Sequence, residues 1–161
     1  MAEVLSEGGA EKKVMVAIDE SEYSYYALNW VLDNLKESII KSPLVIFMAQ
    51  LPPQNAYTFA ASLGSAPPEF VSSVKENQKK LALALLEKAK EICASRGVNA
   101  ETATEVGDPQ TAICDAVQKF NIKLLILGER GLGKIKRALL GSVSNYCVQN
   151  AKCPVLVVKK P

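Results

Sequence analysis

The sequence contains no histidine, and this absence restricts the chemistry that its 161 residues can perform. Histidine is the commonest general base of enzymes and a frequent zinc ligand. The four cysteines form no Cys-x-x-Cys pair, so the spacing of a cysteine-rich zinc site is missing too. They are Cys93, Cys114, Cys147 and Cys153. We therefore expect buried free thiols in a reducing compartment and no structural metal.

The sequence also lacks a long apolar run. Its longest runs, such as 124–127 and 155–158, are far shorter than the roughly 20 residues needed to span a bilayer. The N-terminal stretch mixes Glu, Gly and Lys without the apolar centre of a secretory signal, so we interpret residues 1–12 as a disordered leader. We expect a protein of the cytoplasm or nucleus with no membrane partner.

An excess of charge of one sign is missing as well. The net charge of +2 is too small for a nucleic-acid-binding surface, and the lysines are scattered among acidic residues. A local exception follows Glu129, where four cations occur without an acid: Arg130, Lys134, Lys136 and Arg137. This cluster indicates a nearby anion, although a solvated basic loop would look the same. We expect no nucleic-acid partner.

Apolar runs alternate with helical patterns along the chain. Strands are predicted at 13–18, 44–49, 98–106, 123–127 and 154–159, and helices after Ser21, at 69–95, after Asp108-Pro109 and at 142–150. This alternation predicts an α/β fold with a five-stranded parallel open sheet in the order 3-2-1-4-5 and helices on both faces. Residues 13–161 are expected to form a single domain.

The longest predicted helix carries one apolar stripe. Its predicted inward residues are Phe70, Val74, Leu81, Leu85, Ala89 and Ile92. The segment 51–68 before this helix is longer than most loops of compact domains, and we interpret it as a mobile flap.

The densest glycine cluster follows the fourth predicted strand, with Gly128, Gly131 and Gly133. In an open parallel sheet, ligands bind beyond the carboxyl ends of the strands where the strand order reverses. This rule predicts that Asp19, after the first strand, faces Gly128. Because glycine lets backbone N–H groups approach phosphate oxygens, the cluster predicts a phosphate site.

A second part of this predicted site is the start of the helix at 142–150. Ser142, after Gly141, is predicted to be the N-cap, and the amides of Val143 and Ser144 would direct a partial positive charge at an anion. Taken singly, each serine could be a helix cap and each glycine a turn residue. It is their spacing that favours a ligand site.

Two standard nucleotide motifs fail on this segment. A P-loop would begin at Gly128 and include Gly133-Lys134, but Ile135 stands where Ser or Thr would bind magnesium. The dinucleotide fingerprint fails because Lys136 occupies the position of its third glycine.

The pattern that does fit is Gly-x-x-Gly, nine residues, then Gly-Ser, formed by Gly128, Gly131, Gly141 and Ser142. Here the chain resembles the ATP-binding branch of the universal stress protein family, as in its single-domain plant members, over its full length. Three further segments match that family: Val-Ala-Ile-Asp at 16–19, Asp108-Pro109, and Ala-x-Cys-Pro-Val at 151–155.

The resemblance implies ATP, AMP or ADP as ligand, with Mg²⁺ held mainly by the phosphates. It implies that Asp19 lies beside the nucleotide, that Ala17 and Ile18 contact the base or ribose, and that Arg130 lies near the phosphates. By the same resemblance, Phe47 and Met48 would line the adenine pocket. Many relatives have His-Val at the end of this strand, where this chain has Met48-Ala49-Gln50, so the base preference is harder to infer.

The sequence leaves three functions open. The first is a nucleotide-dependent switch or binding module in stress response. The second is a slow ATPase or phosphotransferase, in which Asp19 orients water or an acceptor, although no second acid is spaced to hold magnesium. The third is a nucleotide-free interaction protein that forms a homodimer through strand 154–159, an apolar edge that relatives commonly use in this way.

Overall fold

A computed structural model of the protein describes residues 12–52, 68–130 and 141–161. In chain order, the described residues form β1 (Lys13–Ala17), α1 (Glu22–Asn34), α2 (Lys36–Ile39), β2 (Leu44–Gln50), α3 (Pro68–Ser95), β3 (Ala100–Val106), α4 (Pro109–Lys119), β4 (Ile122–Arg130), α5 (Ser142–Asn150) and β5 (Val155–Lys160). All but the last residue of the predicted leader, and most of the predicted flap, lie outside the described residues.

The described strands form one parallel sheet in the order β3-β2-β1-β4-β5, which confirms the predicted topology. Side chains of a strand alternate between the two faces. Val16 and its strand neighbours Ile46 and Ile126 pack in the layer of α1 and α3. Met15 and its neighbours, among them Leu125, pack in the layer of α4 and α5. Helices therefore cover both faces, as predicted.

Strand β4 is longer than the sequence predicted. We expected it to end at Leu127 and a loop to begin at Gly128. Instead Gly128 pairs with Val158, and β4 continues through Glu129 to Arg130. The reason is that β5 also runs on, to Lys160, and its backbone holds these three residues in the sheet. The first glycine of the cluster is therefore a strand residue.

The buried face of α3 differs from the predicted stripe. The residues of this helix that are buried against the sheet are Ala82, Leu86, Ala89 and Cys93. Leu81, predicted to point inward, is 45% exposed, and Leu85 and Ile92 are only partly buried. The side chain of Phe70 lies outside what the structure describes, and among the other predicted residues only Ala89 is buried at the centre. The buried face, with its two alanines, is rotated from the predicted leucine-rich one.

The four cysteines are free thiols, as predicted, but only Cys93 and Cys147 are buried. Burial raises the pKa of Cys93 to about 11 and that of Cys147 to about 12. Cys114 on α4 and Cys147 on α5 lie with their Sγ atoms 3.9 Å apart, so these thiols are part of the contact between the two helices.

Other local predictions have mixed outcomes. Asp108 is the N-cap of α4 and Pro109 its first residue, as predicted. The short helix α2 was not predicted. Within the described ranges, none of the helices combines the length and apolarity that a bilayer-spanning segment needs.

Candidate functional site

A cleft of about 160 Å³ lies at the carboxyl ends of β1 and β4. Its lining includes predicted site residues from both strand ends and from α5, namely Ala17, Ile18, Asp19, Gly128, Val143 and Ser144. A larger groove of about 810 Å³, lined by several lysines, lies at the opposite end of the sheet. Because ligands of open parallel sheets bind at the carboxyl ends of the strands, the smaller cleft is the candidate site.

The sheet topology creates this cleft. β1 is the central strand, with β2 on one side and β4 on the other. The chain leaves β1 towards α1 on one face, and α4 packs on the other face. The connections therefore diverge at the carboxyl end of β1 and leave a gap there, which is the switch point of a doubly wound sheet.

The turn between β1 and α1 is held by a small hydrogen-bond network. The Ser21 N–H donates to Oδ1 of Asp19 at 2.8 Å, and the Asp19 N–H donates to Oγ of Ser24 at 3.1 Å. The Ser24 hydroxyl, which is 4% exposed, lies within donating distance of the carbonyls of Asp19 and Ser21. Asp19 itself remains exposed, so the network fixes a carboxylate at the edge of the cleft.

Gly128 is required here by a close backbone contact. A Cβ atom at this position would lie 2.3 Å from the carbonyl oxygen of Tyr23 in the first turn of α1. A side chain can be accommodated only if α1 or β4 shifts, because the obstacle is backbone that belongs to a packed helix. Gly128 therefore lets α1 approach β4, and this close approach shapes one wall of the cleft.

The start of α5 forms another wall. The helix begins at Ser142, and its N-cap is Gly141, whose carbonyl accepts the N–H of Asn145 at 2.9 Å. The prediction that Ser142 is the N-cap is wrong: it is the first helical residue and is exposed. Its helical backbone cannot take the extended conformation of a cap. The N–H groups of Val143 and Ser144, in the first turn, have no acceptor within the helix.

Glu129 accepts the backbone N–H of the N-cap glycine. Its Oε2 accepts the N–H of Gly141 at 2.8 Å, which ties the end of β4 to the start of α5. Sequence reasoning treated Glu129 only as the acid before a basic cluster. Its position inside the Gly-x-x-Gly pattern was the signal that could have drawn attention to it.

The model of the universal stress protein family matches residues 11–159. The chain belongs to this family. The universal stress protein A-like protein of Arabidopsis thaliana is 29% identical over 95% of this chain and 93% of its own length. The universal stress protein YxiE of Bacillus subtilis is 33% identical over 91% of this chain and 98% of its own.

Solved structures are similar to this chain as well. A universal stress protein family protein of Arabidopsis thaliana, determined with AMP bound, has a TM-score of 0.67 and 28% identity, covering 93% of this chain and 92% of its own. A universal stress protein from Lactobacillus plantarum, at 19% identity, has a TM-score of 0.71 over 92% of this chain and 97% of its own, and shows the fold alone.

In this universal stress protein, Phe47 and Met48 do not line the cleft, contrary to what the resemblance implied. β2 continues to Gln50, so its carboxyl end lies beyond both residues. Phe47 is fully buried in the layer of α4 and α5, and Met48 is 8% exposed in the opposite layer. Ala49 lies at the cleft in their place.

The remaining predicted site residues are only partly described. Gly131 and Gly133 lie outside the described residues, and for Arg130 only the backbone, at the end of β4, is described. Gly141 and Ser142 lie at the start of α5 but are not among the residues that line the cleft.

Sequence reasoning missed several cleft residues of this universal stress protein. They are Ser21, Ser24, Ala49, Pro109, Ile113 and Leu127. Ser24 had a signal, because it lies three and four residues before Ala27 and Leu28 and so shares the buried face of α1. Pro109 had another, since the first turn of α4 follows the carboxyl end of β3. Only the folded sheet shows that both positions belong to one cleft.

The described part of the cleft contains few acidic side chains. Among the described residues that line it, Asp19 is the only carboxylate. In the part of the chain that the structure describes, no group of three or more Cys, Asp or Glu side chains converges as a metal site would require.

Proposed function

We propose that this universal stress protein binds an adenine nucleotide in the cleft and acts as a nucleotide-dependent switch or binding module in stress response. The observation that carries the proposal is the convergence of β1, β4 and the start of α5 on one cleft at the switch point of the sheet. The Arabidopsis protein of 28% identity was solved with AMP, which supports the choice of ligand.

The lining of the cleft offers both kinds of surface that a nucleotide needs. Ala49, Ile113 and Leu127 offer apolar surface to a base, as small-molecule sites usually do. The amides of Val143 and Ser144 at the start of α5 suit a phosphate, because a helix N-terminus carries a partial positive charge. The cleft of about 160 Å³ is below the usual size of ligand pockets, so we propose that its walls move apart on binding.

The proposal covers AMP, ADP and ATP, with any Mg²⁺ held mainly by the phosphates. Asp19 stays the candidate for orienting a water molecule if slow hydrolysis occurs. We propose the cytoplasm or nucleus as the compartment, where the four free thiols would stay reduced.

The test is calorimetric titration of AMP, ADP and ATP into wild type and Ala49→Phe, a change that fills the cleft with a ring. We expect wild type to bind at least one of the three, and the variant to lose tenfold or more in affinity, as roughly 1.4 kcal/mol of steric cost would give. The matched control is Ala103→Phe, which puts the same ring on a partly buried alanine of the same face, outside the cleft. Melting temperatures check that both variants fold.

If wild type binds none of the three nucleotides, or if both variants bind like wild type, the proposed function is wrong. Phosphate release from ATP above the buffer rate, abolished by Asp19→Ala with binding retained, would instead establish the enzyme.

A further inference from the structure

The carboxylate of Glu129 occupies the start of α5 in this protein. Its Oε2 accepts the Gly141 N–H at 2.8 Å, and a Cβ atom added to Gly141 would lie 3.2 Å from its Oε1. Two residues twelve positions apart are thus joined where β4 ends and α5 begins. A negative charge already sits at the helix N-terminus, where the helix dipole favours one.

The fold explains why this side chain reaches that position. Because β4 extends to Arg130, Glu129 is still a strand residue and its side chain points to the face opposite that of Gly128. Gly128 faces the backbone of α1, so Glu129 faces the layer that contains α5. Gly141 has no side chain with which to accept the N–H groups of the first turn, and the carboxylate accepts only the N–H of Gly141 itself, as the glutamate of a capping box does.

The carboxylate is a neighbour of the proposed phosphate position. The proposed anion-binding amides belong to Val143 and Ser144, which line the cleft, whereas Gly141 does not. A single phosphate can use these two amides and leave the pairing of Glu129 with Gly141 intact. A chain of three phosphates that extends from that position towards the first residue of α5 meets the Ser142 N–H and then the Gly141 N–H, which Glu129 already holds.

We propose that Glu129 is a specificity-determining residue that makes the cleft selective for adenine nucleotides with one phosphate over those with three. This inference rests on the proposed function. Each added phosphate brings more negative charge towards a fixed carboxylate and competes with it for the start of α5. Like charges about 8 Å apart at a protein surface repel enough to change affinity by about tenfold or more.

The test is Glu129→Gln, because glutamine has the same shape and keeps an oxygen that accepts the Gly141 N–H, but removes the charge. AMP, ADP and ATP are titrated by calorimetry without Mg²⁺ and at low salt. We expect the affinity of the variant for ATP to rise about tenfold over wild type, that for ADP to rise less, and that for AMP to change least. Glu101→Gln, on an exposed residue of the edge strand β3, is the matched control and should change none of the three.

A second measurement needs no variant. Salt screens repulsion between partly exposed charges, so raising NaCl from about 0.02 M to about 0.5 M should raise the ratio of ATP to AMP affinity in wild type. A fall in that ratio would contradict the inference, since it would mean that attraction to cations controls the outer phosphates.

The outcomes separate this inference from the function on which it rests. If nucleotides bind but Glu129→Gln changes AMP and ATP by the same factor, the selectivity role is wrong and nucleotide binding stands. The role is equally wrong if the variant weakens ATP only with Mg²⁺ present, because Glu129 would then hold the ion. If wild type binds no adenine nucleotide, both proposals fail.

Discussion

At Gly128, the geometry of the cleft depends on the absence of one side-chain atom, the Cβ. Replacing this glycine by alanine puts a Cβ atom 2.3 Å from the carbonyl oxygen of Tyr23. Backbone of a packed helix cannot move aside as a flexible side chain would, so α1 or β4 must shift. We predict that Gly128→Ala lowers the free energy of unfolding by about 1–3 kcal/mol, the range for overpacked sites. Urea denaturation measures the change through the midpoint.

The control for this prediction is Gly107→Ala. A Cβ atom at Gly107 would lie 3.7 Å from the Cβ of Ala112, an ordinary contact, and the change should stay within about 0.5 kcal/mol. Equal effects of the two substitutions would contradict the steric explanation of Gly128.

Gly128 also shows how much of the candidate site can be predicted from the sequence at the scale of single residues. The glycine spacing predicted a site at this end of the sheet, and Gly128 does lie at the cleft. The spacing could not reveal that the glycine makes room for the backbone of Tyr23, because that contact joins distant parts of the chain. For the same reason Glu129 was missed: its partner, Gly141, becomes a neighbour only when β4 and α5 meet.

At the scale of elements, α3 offers a direct test of which helix face is buried. Leu86 is 2% exposed and packs against the sheet, whereas Leu81 is 45% exposed. We predict that Leu86→Ala lowers the free energy of unfolding by about 2–5 kcal/mol, because it leaves a cavity in the core. The same change at Leu81 should cost less than about 1 kcal/mol. Chemical denaturation of the pair measures both, and a larger loss at Leu81 would mean that the leucine-rich stripe is the buried face.

The existence of four strands was predictable from compact apolar runs, and that of β3 from a loose alternation of apolar and polar residues. Their order was predictable from the alternation of strands with helices. The bounds of β4 were not, since a glycine suggests a turn unless a partner strand is known to run beside it, as β5 does to Lys160. The rotation of α3 was not predictable either. Alanines and leucines both count as apolar in a helical pattern, and only packing against β2 and β3 favours the face with small residues.

At the scale of the whole molecule, the two edges of the sheet differ in character. β3 forms one edge and carries exposed charge, with Glu101 exposed and Glu105 paired to Lys119. β5 forms the other edge, and its Val155, Leu156 and Val157 are only partly buried. Charged residues on an edge strand oppose pairing with a second chain, whereas an apolar edge favours it. The edge of β5 is thus the better candidate for self-association.

We predict that the protein is a homodimer joined through β5, with twice the 17.4 kDa mass of one chain in light scattering at micromolar concentration. Val157→Lys should shift it towards monomer, because a two-fold contact would bring two new like charges together in a partly buried interface. Thr102→Lys, on the exposed edge of β3, adds the same charge and should leave the dimer intact. A wild-type mass of one chain at these concentrations would rule the dimer out. Dissociation by Thr102→Lys but not by Val157→Lys would instead assign the contact to β3, and the argument from edge chemistry would then be wrong.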